Sequence, residues 1–183
     1  MSAASRRQRG NDAARWYAAY CREHGWPHAE ATGSGRGGVD VTGMPGLSVE
    51  VKATAEMRLG SWLDQAARSP GVPYVVWMPP RSGRARVSTW PAIMRHSVFG
   101  HLLADAGARV NYVHGTADTV NIPQWIAGTV KQSSPDVLLY RHRGADREDS
   151  GSWPVVLPVF LHSHILAAAG FGGPAVARER TGT

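Results

Sequence analysis

The six residues from Leu47 to Lys52 alternate without a break, Leu47, Val49 and Val51 on one side and Ser48, Glu50 and Lys52 on the other. A period of two is that of a β-strand with one face turned to a core. The turn sequence Gly43-Met44-Pro45-Gly46 precedes it, and the short alternating stretch Val39-Asp40-Val41 precedes the turn. The pattern predicts a short β-hairpin. On it, Asp40 and Glu50 reach from neighbouring antiparallel strands to one side, and Lys52 shares the face of Glu50.

Two carboxylates held that close repel one another unless a cation lies between them. Mg²⁺ suits such a place, because it takes carboxylate, carbonyl, water and phosphate oxygens. The backbone carbonyl of Val51 points into the same space as a further ligand. Phosphodiester hydrolysis needs this set: a cation to polarise a phosphoryl oxygen, and an ammonium such as Lys52 to position water and stabilise developing charge. The Gly-rich stretch before Asp40 lets backbone approach a phosphate, with Ser34 and Arg36 as donors. Taken alone, Glu-x-Lys on an exposed strand is commonly a solvated ion pair; the surrounding order of elements adds the weight.

The 183 residues are 43% hydrophobic, enough for one domain with a core, or one domain plus an appendage. No stretch approaches the ~20 apolar residues that span a bilayer. The basic segment Met1 to Gly10 is not followed by an apolar signal core, so no secretion signal is read. Cys21 is the single cysteine, which excludes an internal disulfide and a cysteine-based zinc site and fits a cytoplasmic protein. It is expected to be a small buried side chain. The net charge of +6, carried mostly by arginine, suits phosphate. It also echoes the Arg-, Ala- and Gly-rich composition and carries little weight alone.

Along the chain, residues 1–10 read as a flexible basic arm, and Asn11 as the cap of a helix whose face is Ala13, Trp16, Tyr17, Tyr20 and His24. Gly25 and Pro27 stop it. His28 to Thr32 reads as a short strand, Leu59 to Arg68 as a second helix, Tyr74 to Met78 as a buried strand, Ala85 to Thr89 as a strand, and Pro91 to Ala106 as a helix. Weaker patterns place strands at Val110–Val113 and Val137–Tyr140, a helix at Gln124–Lys131, a charged loop at Arg141–Ser152, and strand then helix over Pro154–Ala169. The expected organisation is an arm (1–10), a core (11–106), a C-terminal α/β extension (107–170) and a mobile tail (171–183).

A fixed offset of 63 residues aligns Trp62 with Trp125, Arg68 with Lys131, Val75-Val76-Trp77 with Leu138-Leu139-Tyr140, and Trp90-Pro91 with Trp153-Pro154. Two readings are open, an internal repeat or a coincidence in a chain with 7 Trp; a second copy would carry no equivalent of the Asp40, Glu50 and Lys52 triad.

Gly33-Ser34-Gly35, Val39-Asp40-Val41, Glu50-Val51-Lys52 and Gln65 in the following helix resemble the PD-(D/E)xK nuclease superfamily, and within it the archaeal and phage type of Holliday junction resolvase. The likeness covers about residues 9–95. It implies a restriction-endonuclease-like mixed sheet flanked by helices, Asp40 and Glu50 as ligands of Mg²⁺ (Mn²⁺ the expected substitute), Lys52 assisting the attacking water, and Gln65 supporting the site. It also implies a homodimer acting on branched DNA, with residues 107–170 able to build the interface. The family's acid in the first helix is replaced by Ala14, for which Asp12 or Glu23 is expected to substitute. Other readings are a restriction, repair or nicking nuclease of the same superfamily, or a non-catalytic DNA-binding protein on a decayed nuclease fold.

Arg81, Arg84 and Arg86 are expected on a hairpin tip near the site, gripping DNA phosphates or merely solvated. His162-Ser163-His164 would set two imidazoles on one strand face, short of a metal site without a further ligand. His96, His101 and His114 show no ligand spacing. Trp16, Trp62, Trp77 and Trp90 are expected in the core.

Overall fold

Ser2 opens the first helix: its Oγ accepts the Ser5 N–H at 3.2 Å, and α1 runs Ala3–Glu23. The computed structural model describes residues 2–33, 38–116, 118–132, 136–141 and 150–172. The flexible arm expected for residues 1–10 is thus corrected. Ala, Arg and Gln are strong helix formers, and Arg9 Nη2 donates to the Pro79 carbonyl at 3.1 Å, which ties those turns to the body. Ala13, Ala14, Tyr17, Ala18 and Cys21 form the buried stripe of α1.

After α1, β1 (Glu30–Ala31) pairs antiparallel with β2 (Val41–Thr42). Gly43 then turns the chain at φ +73°, so close that an added Cβ would lie 1.8 Å from the His28 carbonyl oxygen. There follow β3 (Leu47–Lys52), α2 (Leu59–Ala66), β4 (Val72–Trp77), β5 (Pro91–Arg95), α3 (His96–Ala106), β6 (Tyr112–Thr116), α4 (Ile122–Thr129), β7 (Val137–Arg141), β8 (Pro154–Pro158) and α5 (Val159–Ala168).

Three expectations change. β2 pairs with β1, and β3 joins a different, six-stranded sheet, so Asp40 and Glu50 do not sit on a simple hairpin. Arg84–Thr89 is a 3-10 turn instead of a strand. Pro91–Ala106 divides into β5 and α3. Pro91, Ala92, Ile93 and Met94 are all buried, and a run buried on both faces carries no period that separates strand from helix.

The fold is α/β. Its mixed sheet has the order β3-β4-β5-β8-β7-β6. β3 and β4 are parallel, as are β6 and β7, because a helix crosses between the members of each pair. The other neighbours are antiparallel. Helices α1, α3 and α5 cover one face over Val49, Val51, Tyr74, Val76, Ala92, Met94, Val155 and Leu157. Helices α2 and α4 cover the other over Val75, Trp77, Ile93, Leu138, Tyr140 and Val156. Tyr17 and Tyr74 share a buried hydroxyl–hydroxyl hydrogen bond of 2.9 Å that pins α1 to β4. Among the described residues no helix is long and apolar enough to cross a membrane.

The 63-residue offset is built into this sheet. One row of paired residues crosses all six strands as Glu50, Val75, Ile93, Val156, Leu138 and Val113. The first three and the last three are related by that offset, in reverse order about the Ile93–Val156 pair. A pseudo-twofold axis therefore passes between β5 and β8. The matching extends beyond the ladder. The His96 N–H donates to the Trp153 carbonyl at 2.8 Å, and the Val159 N–H to the Trp90 carbonyl at 2.9 Å, two equivalent bonds across the axis. Gly107 after α3 and Gly170 after α5 both have positive φ, +61° and +87°. Residues 107–170 thus supply the other half of the sheet, where an appended extension was expected.

Candidate metal and nucleic-acid site

β3 is an edge strand of the large sheet, and the Asp40 segment lies along its outer side. The Asp40 N–H donates to the Val49 carbonyl at 2.9 Å, and the Asp40 carbonyl accepts the Thr32 N–H at 3.0 Å. Its carboxylate Oδ2 accepts the Val51 N–H at 2.7 Å. Asp40 is therefore placed by backbone on both sides. In a strand the N–H and C=O of one residue leave on the same side. The Val51 carbonyl therefore also points to the outer edge, beside Asp40.

Glu50 and Lys52 alternate with Val49 and Val51 and face α2. Lys52 Nζ donates to Glu50 Oε1 at 2.5 Å and to Gln65 Oε1 at 2.8 Å, while Gln65 Nε2 donates to Glu50 Oε1 at 2.6 Å. The three side chains close a triangle. α2 is fixed for this by Ser48, whose Oγ donates to the Ala66 carbonyl at 2.6 Å. Burial pushes the Glu50 carboxyl up to about 7; the Lys52 hydrogen bond and charge pull it down, and the Asp40 carboxylate raises it further. Asp40 and Glu50 therefore feel one another's charge across the same cleft.

Asp40, Glu50, Val51 and Lys52 line a cleft of about 240 Å³ together with Gly33, Arg7, Gly10, Asn11 and Ala14. The sequence position aligned with the family's helix acid, Ala14, does face this cleft, and it is buried and apolar. Asp12 instead bonds Gln8 and Arg15 along the surface of α1. Glu23 lines a separate groove with Trp16, Tyr20, His24 and Arg84, three turns further along α1. Neither lines the cleft. Among the described residues no group of three or more His, Cys, Asp or Glu side chains gathers as a metal site; the oxygen donors that border the cleft are the Asp40 and Glu50 carboxylates and the backbone at Val51.

Arg7 and Asn11 were not anticipated as cleft residues. Their signal was the spacing 7, 10, 11, 14, one face of a helix, hidden by reading residues 1–10 as an arm. Arg81, Arg84 and Arg86 are exposed, and none lines the cleft. Ser34 and Arg36 lie outside the described residues, as do most of the charged loop 141–152 and most of the tail 171–183.

His162 and His164 lie on α5, where two residues apart means different faces. His162 is fully buried with both ring nitrogens unpartnered; His164 is exposed and bonds the Phe160 carbonyl. Trp62, Trp77 and Trp90 are buried as expected, and Trp16 is half-buried against Trp90. Cys21 is buried, which pushes its thiol up to about 12 and makes it a poor nucleophile.

Comparison with protein-family models, curated proteins and solved structures gives no match.

Proposed function

We propose that this protein is a Mg²⁺-dependent DNA endonuclease of the PD-(D/E)xK kind, on a restriction-endonuclease-like core, with branched DNA as its first expected substrate. One observation carries the reading. Asp40, Glu50, Lys52 and Gln65 come from three separate segments, and they converge at one sheet edge beside an outward-facing carbonyl. A solvated surface pair would not be buried: Glu50 is 3% exposed.

The donor set is all oxygen, which fits Mg²⁺ or Mn²⁺. Asp40, Glu50 and the Val51 carbonyl would hold the ion. Once bound, it supplies Lewis-acid polarisation of a phosphoryl oxygen. The residues do the rest. Lys52 orients a water and stabilises negative charge on the phosphoryl oxygens. Gln65 holds Lys52 and Glu50 in their mutual geometry. Arg7 sits at the mouth of the cleft to take a neighbouring phosphate. In the hydrolysis the water oxygen bonds to phosphorus and the bond to the leaving ester oxygen breaks. One water proton ends on the leaving hydroxyl and the other passes to solvent.

The Ala14 position and the two-carboxylate site favour one resident cation over two. They also keep a second reading in play, a DNA-binding protein on this fold without hydrolysis. Purified protein incubated with a four-way junction, linear duplex and single strands, in Mg²⁺ or EDTA, separates the cases. Mg²⁺-dependent cutting of the junction alone supports the first reading. Cutting of plain duplex supports another nuclease of the same kind. Tight binding with no cutting in Mg²⁺ or Mn²⁺ contradicts hydrolysis.

A further inference from the structure

We infer that a single chain is the complete two-fold unit and that it incises only one DNA strand per encounter; this rests on the proposed nuclease reading. The two halves share one sheet, and the row from Glu50 to Val113 fixes which residues are equivalent. The partner of Glu50 is Val113, the partner of Lys52 is Gly115, and the partner of Gln65 is Gly128. None of the three can hold a cation or orient a water through its side chain.

The second position is also closed in space. A Cβ added at Gly115 would meet Val120 Cγ2 at 2.5 Å and Leu138 Cδ1 at 2.9 Å, so no lysine fits there without displacing the core. Val113 stands 37% exposed on the far edge strand, an apolar side chain where the first half carries its buried acid. Only residues 107–111 connect α3 to β6. That link is too short for any counterpart of α1, β1, β2 and the Asp40 segment. Among its described residues the second half therefore has neither the side chains, the space nor the supporting elements of a site.

The surface joining the halves is used up within the chain. β5 and β8 pair through Ile93 and Val156, both fully buried. The two sheet edges lie five strand spacings apart, roughly 24 Å, with chemistry at one of them. The two strands of a duplex or a junction are related by a dyad. Cutting both in one encounter needs two sites related by the same dyad, and the described residues of the chain hold one candidate.

A supercoiled plasmid that extrudes a cruciform tests this. One nick releases the supercoiling, so the cruciform is reabsorbed and the substrate disappears; two cuts within one complex give linear DNA directly. With protein in excess and Mg²⁺ present, nicked circle is expected as the end product. The mass by light scattering is expected at one chain, 19.7 kDa. Asp40→Asn should abolish the nick. Linear DNA appearing from the start, without a nicked precursor, would overturn the inference while leaving the nuclease reading intact. Nicking that survives in Asp40→Asn would overturn it by revealing another site. No cutting of any substrate in Mg²⁺ or Mn²⁺ would overturn the nuclease reading, and this inference with it.

Discussion

Gln65 donates from Nε2 to Glu50 Oε1 over 2.6 Å, so a helix residue thirteen positions past Lys52 sets the orientation of the buried acid. The same amide accepts from Lys52. Gln65→Ala should leave the fold intact, since Gln65 is on the exposed side of α2, and should lower the cleavage rate by about 10–100-fold, as losing a supporting partner of a metal site does. Gln65→Glu keeps the acceptor for Lys52 but sets a third acid against Glu50. It should slow cleavage and shift its pH profile to higher pH. Single-turnover rates between pH 6 and 9 check both; a Gln65→Ala rate equal to wild type contradicts the role.

Glu50 links stability to pH in the absence of a divalent cation. Its carboxyl is raised from the ordinary 4.5 to about 7 by burial, so the folded state holds the proton more tightly than the unfolded state. The stability this provides is full below about pH 4.5 and is lost as pH rises through 7. The loss is on the order of 2–3 kcal/mol. Glu50→Gln should remove that slope and be the more stable chain at pH 8 in EDTA. Mg²⁺ or Mn²⁺ should stabilise wild type at pH 8 and leave Glu50→Gln unmoved. Urea unfolding at pH 5 and pH 8 measures it, and a wild type no less stable at pH 8 contradicts it.

His162 occupies the place that Phe99 holds in the other half, and both are fully buried. Its ring lies 4.4 Å from that of Tyr74, with neither nitrogen bonded. Burial lowers its pKa to about 3. The unfolded chain takes up a proton near pH 6.5 that the folded chain refuses. Stability from this group is therefore full above 6.5 and falls as pH drops toward 3. His162→Phe should stabilise the protein by about 1–3 kcal/mol at pH 7 by removing unsatisfied nitrogens. It should also flatten the acid limb of the stability curve. Thermal unfolding from pH 4 to 7 shows whether it does.

Gly43 is the hinge between β2 and β3. At φ +73°, with the His28 carbonyl 1.8 Å from any added Cβ, Gly43→Ala must move the backbone that carries Asp40. Activity should fall at least tenfold, with a stability loss of at least about 1 kcal/mol. Gly60→Ala, on the open surface of α2, is the control and should be neutral or slightly stabilising. Equal activities of the two variants would contradict the placement.

The grouping of Glu50, Lys52 and Gln65 was legible because it is local. β3 carries Glu50 and Lys52 on a clean period of two, and Gln65 follows in a helix marked by Leu59, Trp62, Leu63 and Ala66. The start of α1 was not, because Arg6, Arg7 and Arg9 read as a charged run although arginine is also a good helix former. β5 was hidden inside an apolar run that strand and helix would share. The repeat was visible at four points, including Trp90-Pro91 against Trp153-Pro154. That it builds a two-fold sheet depends on β5 meeting β8, a pairing that no local pattern encodes.

The most direct test of the central claim compares wild type with Asp40→Asn on an end-labelled four-way junction, in Mg²⁺ and in EDTA, with junction binding measured alongside. Asp40→Asn keeps the shape and the hydrogen bond from the Val51 N–H but removes the charge that would hold the cation. The account predicts cleavage by wild type in Mg²⁺ alone, a loss of at least about 100-fold in Asp40→Asn, and junction binding preserved in both. Cleavage by Asp40→Asn at the wild-type rate, or cleavage by wild type undiminished in EDTA, would contradict it.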